Sequence, residues 1–271
     1  MRKFVQKLAR ARVGPKIPIT AWWVWRTLGF ARPSCFGGKV SVGSRQARVE
    51  WQQTGELLQA MSIFGSGNAW NRWQPSTPVR TVLDVGANIG QTAAYWSLRF
   101  PEAQVGAVEM MPENVARITR QAYLNGWQLG VLSVAASDTT GDVKIRLSGA
   151  NSRNRLEEIV EVSTVRDRLT DETATVPALP LSAIMDRLGF AEVDLMKIDI
   201  EGAEVNLLRD AGNWASRVRN VIIEIHDNVN RNWARQVLED CGYEVQVLAP
   251  GQNPEWFCTK LPVKLNAGNP A

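Results

Sequence analysis

The sequence predicts an α/β fold whose sheet is mostly parallel and ends in an antiparallel hairpin. Three observations carry that expectation. From Thr81 onward, short apolar runs alternate with amphipathic segments, the pattern of a parallel sheet covered on both faces. The first of these runs leads into Asp84-Val-Gly-Ala-Asn-Ile-Gly90, an acid, a glycine turn and then helix-forming residues. The last two runs, near 242–248 and 256–261, are separated only by Pro250-Gly-Gln-Asn-Pro254. That connection is too short for a helical crossover, so the two strands must pair antiparallel.

The elements follow in order. Residues 33–49, with Pro33, Gly37, Gly38 and Gly43, read as turns and a short hairpin. A helix is expected over Glu50–Phe64, then loops at Gly65–Asn68 and Pro75–Pro78. Strands are expected near 81–85, 104–108, 129–135, 193–199, 219–225, 242–248 and 256–261. Helices are expected near 90–99, 112–125, 181–188, 202–210 and 230–241. Between Ser137 and Pro180 the chain is longer than a simple crossover; Gly141–Leu147 and Ala174–Ala178 read as an added β pair. The polar stretch 149–173 between them reads as a lid or a disordered insertion. The resulting division is a basic extension and cap over 1–79, a core domain over 80–262 and a tail over 263–271.

Composition supports a globular core, with 45% apolar and 21% charged residues. Three cysteines, Cys35, Cys241 and Cys258, show no metal-type pairing and suggest neither a disulfide framework nor a zinc site. A reducing cytoplasm suits them. Charge is uneven: residues 1–50 hold eleven Lys or Arg against Glu50 alone, a balance of +10. The remaining 20 bases face 26 acids, a balance of −6. Within 1–30, Phe4, Val5, Leu8, Ala9 and Val13 recur at helical spacing among basic residues, and Trp22, Trp23 and Trp25 follow. This arm reads as a helix packed on the domain, as a peripheral contact with the anionic inner face of a membrane, or as a contact with nucleic acid or a protein partner. Its apolar runs are too short to span one.

Glu109 ends the apolar run after Gln104, as Asp84 ends the first. Two strand-end acids at this spacing match a Rossmann-like adenosine-binding domain, the second carboxylate taking the ribose hydroxyls. Which cofactor binds there follows from charge. Asp84 would repel a phosphate but attract the methionine ammonium of S-adenosylmethionine, and the spacing Gly86-x-x-x-Gly90 is not that of a nicotinamide site. Asp84, Gly86, Ala87, Asn88 and Gly90 are expected to line the methionine moiety, Asn88 donating to its carboxylate, with Gln91 a weaker candidate. Asp138 is placed beside the adenine amine, or else is a turn residue before Gly141.

These residues resemble the FkbM family of S-adenosylmethionine-dependent methyltransferases. The matching blocks are Leu83–Gly90, Glu109-Met-Met-Pro-Glu-Asn114 with Asn125, Asp194-Leu-Met-Lys-Ile-Asp-Ile-Glu-Gly-Ala-Glu204, and Ile223-Glu-Ile-His226. They cover roughly residues 80–260. The third and fourth blocks are much more specific than the first. The resemblance implies a class I methyltransferase fold and, from the family's known activities, O-methylation of sugars in polysaccharides, glycolipids or natural products. Leu181-Ser182 departs from the family's Leu-Asp; serine is expected to serve as an N-cap there.

Methyl transfer to an alcohol requires an aligned oxygen and a group that removes its proton. In open α/β sheets such groups sit beyond the C-terminal strand ends. Lys197, Asp199 and Glu201 end one strand; Glu224 and His226 end the next. His226, the only histidine, is the first candidate for general base, or else a hydrogen-bonded turn residue. Asp199 is the second candidate. Lys197 would hold substrate or form an ion pair, and Glu201 suits a helix N-terminus. Asp199, Glu201, Glu224 and His226 could together hold a divalent cation, Mg or Mn rather than structural zinc, although a metal-free site is the favoured reading. The sequence therefore points to a sugar-containing acceptor. Nucleic-acid methylation and a non-catalytic methyltransferase fold are the alternatives, and oligomeric state is not written in the sequence.

Overall fold

The computed structural model describes residues 36–65, 68–148, 155–156, 169–227, 229–251 and 253–261. The arm 1–30 and most of the insertion 149–173 lie outside them. The chain divides into two compact units, residues 1–135 and 136–271.

In the first unit, β1 (Phe36–Val42) and β2 (Arg45–Trp51) form an antiparallel hairpin. The following helix, α1 (Thr54–Phe64), begins later than expected. Glu50 and Trp51 belong to β2 because both are buried there, Glu50 pairing with Arg120 at 2.8 Å. Glu56 closes a capping box with Gln53 and takes Arg117 at 2.8 Å, so α1 starts where its own acid can hold it. Three parallel neighbours follow in the order β3 (Thr81–Val85), β4 (Gln104–Val108), β5 (Leu129–Leu132). Between them run α2 (Gln91–Arg99) and α3 (Pro112–Asn125). Every residue of α2 from Gln91 to Leu98 is buried. Trp96 stacks on Trp70 at 5.0 Å, and the Tyr95 hydroxyl donates to Asn71 at 2.9 Å, so part of the tryptophan content is core. The third strand is shorter than expected: it stops at Leu132, and Ala135–Ala136 form a separate short strand, β6.

The second unit carries the expected added pair in extended form. β7 (Gly141–Ser148) runs antiparallel to β9 (Leu169–Leu179), and β8 (Arg155–Leu156) pairs with β7. Pro180, not a side-chain cap, precedes α4 (Leu181–Arg187). Ser182 lies inside the first turn, which corrects its expected capping role. β10 (Val193–Ile198) is buried along its whole length, as a strand covered on both faces should be. After α5 (Glu204–Arg209) and α6 (Ala211–Trp214) comes β11 (Val218–Glu224), parallel to β10. α7 (Arg231–Asp240) leads to β12 (Tyr243–Ala249) and β13 (Glu255–Lys260). These last two are the expected antiparallel hairpin, β13 lying antiparallel against β11. The fold is thus the class I methyltransferase type, mostly parallel with an antiparallel end. Among the described residues, no helix is long and apolar enough to cross a membrane.

Candidate active site

Parallel register sets Val85 beside Val108, so the loops leaving β3 and β4 run together. Gly86 and Ala87 both donate their N–H groups to the Val108 carbonyl, at 3.0 and 2.9 Å. Gly86, at φ +79°, makes the turn that only glycine takes without strain. Asn88 follows at φ +50°, a left-handed conformation that asparagine tolerates. Its N–H donates to Glu109 Oε2 at 2.9 Å. Glu109 Oε1 accepts from the Met111 N–H at 2.9 Å and from Asn114 Nδ2 at 3.4 Å. Asn114 also donates to Asn88 Oδ1 at 3.3 Å, and Asn88 Nδ2 reaches Gln59 Oε1 at 3.5 Å.

Asp84 is fully buried below this loop and accepts from the Thr92 hydroxyl. Burial pushes the Glu109 carboxyl above its usual range against the pull of Met111, Asn114 and Asn88, and the charge of Asp84 adds to the push. Two acids held this close favour a cationic ligand and disfavour a pyrophosphate. The residues present therefore fit S-adenosylmethionine better than a dinucleotide. Both acids are buried, Asp84 completely and Glu109 at 7% exposure.

Two expected loop residues have other duties. At Gly90, φ +85°, a Cβ would stand 3.0 Å from Ile118 Cγ1, so the missing side chain lets α2 approach α3. Gln91 is buried and donates to the Glu56 carbonyl at 3.0 Å. Ala87 is likewise buried. Asp138 opens the second unit, half-buried, accepting from the hydroxyl of its neighbour Ser137 at 3.2 Å. It follows β6 rather than ending β5, so the strand that was to carry it to an adenine edge stops short.

In the second unit, the parallel pairing of β10 with β11 gathers the other candidates at one end. Buried Lys197 bridges to Asp199 Oδ2 at 3.1 Å, the ion-pair role foreseen for it. His226, with a side chain only 5% exposed, hydrogen-bonds through Nδ1 to Glu204 Oε1 at 3.0 Å. Its Nε2 faces Glu224 Oε1 at 3.6 Å, Glu201 Oε2 at 3.7 Å and Asp199 Oδ1 at 3.9 Å. Glu201 holds φ +56°, an uncommon conformation for a residue other than glycine, and Gly202 holds φ +115°. That turn wraps Glu204, whose Oε1 also accepts from the Ile200 and Gly202 N–H groups, each at 3.2 Å.

Charge in this cluster is unevenly shared. Burial alone would raise Asp199, but the charges of Lys197 and His226 hold its carboxyl below the ordinary range. Burial and the charge of Asp199 push Glu224 up to about 7. Burial works against a charged His226 ring, yet the hydrogen bond and charge of Glu204, with Asp199 and Glu201, raise it to about 9. With these partners alone the ring is an imidazolium at neutral pH and has no lone pair for an acceptor proton. A general-base role for His226 therefore requires that these acids be neutralised or drawn away from the ring when the acceptor binds. Sequence reasoning gave Glu204 no part, although it closes the block Glu201-Gly-Ala-Glu204; its burial at 0% exposure identifies it as the residue that positions His226. Asn114, which supports Glu109, was equally in view within its block and unassigned.

A model of the FkbM methyltransferase domain matches residues 84–245, a span that opens on Asp84 and includes Glu109, Asp199, Glu204 and His226. The chain belongs to the FkbM methyltransferase family. Among similar proteins, methyltransferase sdnD of Sordaria araneosa is 28% identical over 200 residues, covering 63% of this chain and 75% of that protein. The hexuronic acid methyltransferase AglP of Haloferax volcanii is 24% identical over 209 residues, covering 76% of this chain and 81% of its own. The 31-O-demethyl-FK506 methyltransferase FkbM of Streptomyces tacrolimicus is 27% identical over 175 residues, covering 55% and 66%. The crystal structure of methyltransferase FkbM from Methylobacillus flagellatus superposes with a TM-score of 0.48 at 14% identity, over 70% of this chain. The chain spans 46% of that solved relative.

Proposed function

We propose that this FkbM-family protein is an S-adenosylmethionine-dependent O-methyltransferase acting on a hydroxyl of a sugar in a glycan, glycolipid or glycosylated natural product. The observation that carries the reading is the Glu109 network: a buried carboxylate fixed by three N–H donors beside a second buried acid. Such a carboxylate keeps one acceptor site, on Oε2, for a ribose hydroxyl, and its surroundings favour a cationic ligand. One relative, named for a hexuronic acid, supports a sugar acceptor, and another, named for an O-demethyl substrate, supports transfer to oxygen.

When bound, S-adenosylmethionine supplies a methyl group already activated by sulfonium charge. The first unit then has the task of holding the donor's ribose at Glu109 and its amino-acid end along the Gly86–Asn88 turn. Asp199, Glu224 and His226 in the second unit would orient the acceptor hydroxyl and take up its proton as a group, with Lys197 fixing Asp199 and Glu204 fixing His226. The basic arm would bring the enzyme to an anionic membrane surface that carries lipid-linked glycans, from the cytoplasmic side. Incubation with methyl-labelled cofactor and fractionated envelope glycans tests the reaction. Label should appear as a methyl ether on a sugar; label found in nucleic acid, or in nothing while the cofactor binds, would overturn the acceptor class.

A further inference from the structure

The second cluster is built around a nitrogen that makes no hydrogen bond among the described residues. His226 Nε2 lies in a side chain 5% exposed, and the three carboxylate oxygens it faces stand at 3.6, 3.7 and 3.9 Å, beyond hydrogen-bond reach. Its other nitrogen is held at 3.0 Å by Glu204, whose Oε1 already takes two backbone N–H bonds and so acts as the acceptor. Nδ1 therefore carries a hydrogen, and Nε2 points at the acids.

We propose that Asp199, Glu224 and His226 bind a hard divalent cation, Mg2+ or Mn2+, with Glu201 as a further ligand and Glu204 as the residue that orients the imidazole. One ligand atom from each of Asp199, Glu224 and His226 lies within 4.8 Å of the others. Cis ligands around an ion with bonds of about 2.1 Å stand about 3 Å apart, and trans ligands about 4 Å. Contraction by roughly half an ångström, within the reach of side-chain rotation, would close these residues on the ion. An imidazole fixed by a carboxylate on its far nitrogen is the usual outer-shell arrangement for a metal-bound histidine.

Charge points the same way. Asp199, Glu201, Glu204 and Glu224 meet around His226, with Lys197 bridging one of them. One imidazole among oxygen ligands, with no cysteine among them, suits Mg2+ or Mn2+ rather than a structural zinc. Asp199 can serve two partners, since Lys197 takes Oδ2 while Oδ1 faces the ring. Ion binding stands on this geometry alone. That the ion holds an acceptor oxygen at an open position rests on the methyltransferase reading above.

The test is a Mn2+ titration of the full chain, stripped with a chelator, followed by electron paramagnetic resonance. Wild type should remove one equivalent of free Mn2+ signal, Mg2+ should displace it, and pulsed spectra should show coupling to one imidazole nitrogen. Glu204→Gln should weaken the site by roughly 10–100-fold. The double variant Asp199→Asn with Glu224→Gln should abolish it, and His226→Gln should remove the nitrogen coupling, each with a melting transition showing that it folds. Wild type that leaves Mn2+ free, or binds it without nitrogen coupling, overturns the proposal even if no variant folds. Calorimetry with S-adenosylmethionine on the same stripped protein separates the two readings: cofactor binding without Mn2+ binding sinks the ion alone, and the reverse sinks the methyltransferase reading alone.

Discussion

The two acid clusters of this chain are built on opposite plans. Around Glu109, both carboxylate oxygens are met by N–H donors at 2.9 to 3.4 Å, and the backbone supplies two of the three. Around His226, three carboxylate oxygens stand 3.6 to 3.9 Å from one ring nitrogen and none of them hydrogen-bonds to it. The first arrangement is closed before any ligand arrives, as recognition by a preorganised site requires. The second is left open at its centre. A closed site should lose affinity and some stability with its charge; an open one should lose chemistry and keep its fold.

The largest effect should follow from the open cluster. His226→Ala should bind S-adenosylmethionine as wild type does but turn over more slowly, by roughly 10²–10⁴-fold where the ring takes the acceptor proton and by less where it only orients the acceptor. Single-turnover rates beside cofactor affinity check this, and an equal loss in both would erase the contrast between the clusters. Next comes Gly90→Ala, which sharpens the contrast by separating packing from recognition. Strain at φ +85° and a contact 3.0 Å from Ile118 should together cost about 2–4 kcal/mol of stability. Thermal melting should therefore move more than cofactor affinity does. The reverse ranking would return Gly90 to the ligand.

A smaller effect belongs to Glu56, at the edge of the closed region. Burial alone would raise its carboxyl, but Arg117 and the Gln52 and Gln53 N–H groups hold it below 4.5. Its contribution is thus present above pH 4.5 and is lost as pH falls through the lower folded-state value. Glu56→Gln should cost about 1–2 kcal/mol near neutrality, and the gap to wild type should close in acid. A gap that stays constant in denaturant melts across that range would show that the Glu56 charge contributes nothing. Smallest is the expected contribution of the arm. Removing residues 1–30 should reduce flotation with anionic liposomes and leave soluble-acceptor turnover unaltered; unchanged flotation removes the membrane contact.

Much of this architecture was legible because the governing constraints are local. Five residues between the last strands allow only an antiparallel hairpin, and an acid, a turn glycine and a helix start fix the β3–α2 loop. Function-bearing detail was less legible where the same residue type serves two ends. The spacing of Gly90 cannot tell ligand approach from helix contact, and only Ile118 decides. The apolar run through Ala135 reads as one strand, yet it breaks after Leu132. His226 at a strand end invites a base, because sequence does not show that Glu204, twenty-two residues earlier, sits on its ring. Glu50 looked like a helix start until its partner Arg120, seventy residues away, placed it in β2.

The donor site at Glu109 is tested most directly by titrating S-adenosylmethionine into wild type and Glu109→Gln in a calorimeter. Because each Glu109 oxygen accepts from a backbone N–H, the amide of the isostere sets a donor against one of them and should cost about 1–3 kcal/mol of stability, so both titrations are run well below the melting transition. The variant's cofactor affinity should fall about 10–100-fold, the loss expected of a charge-assisted bond to a ribose hydroxyl. Equal affinity in the two proteins, or no binding by either, would contradict the account.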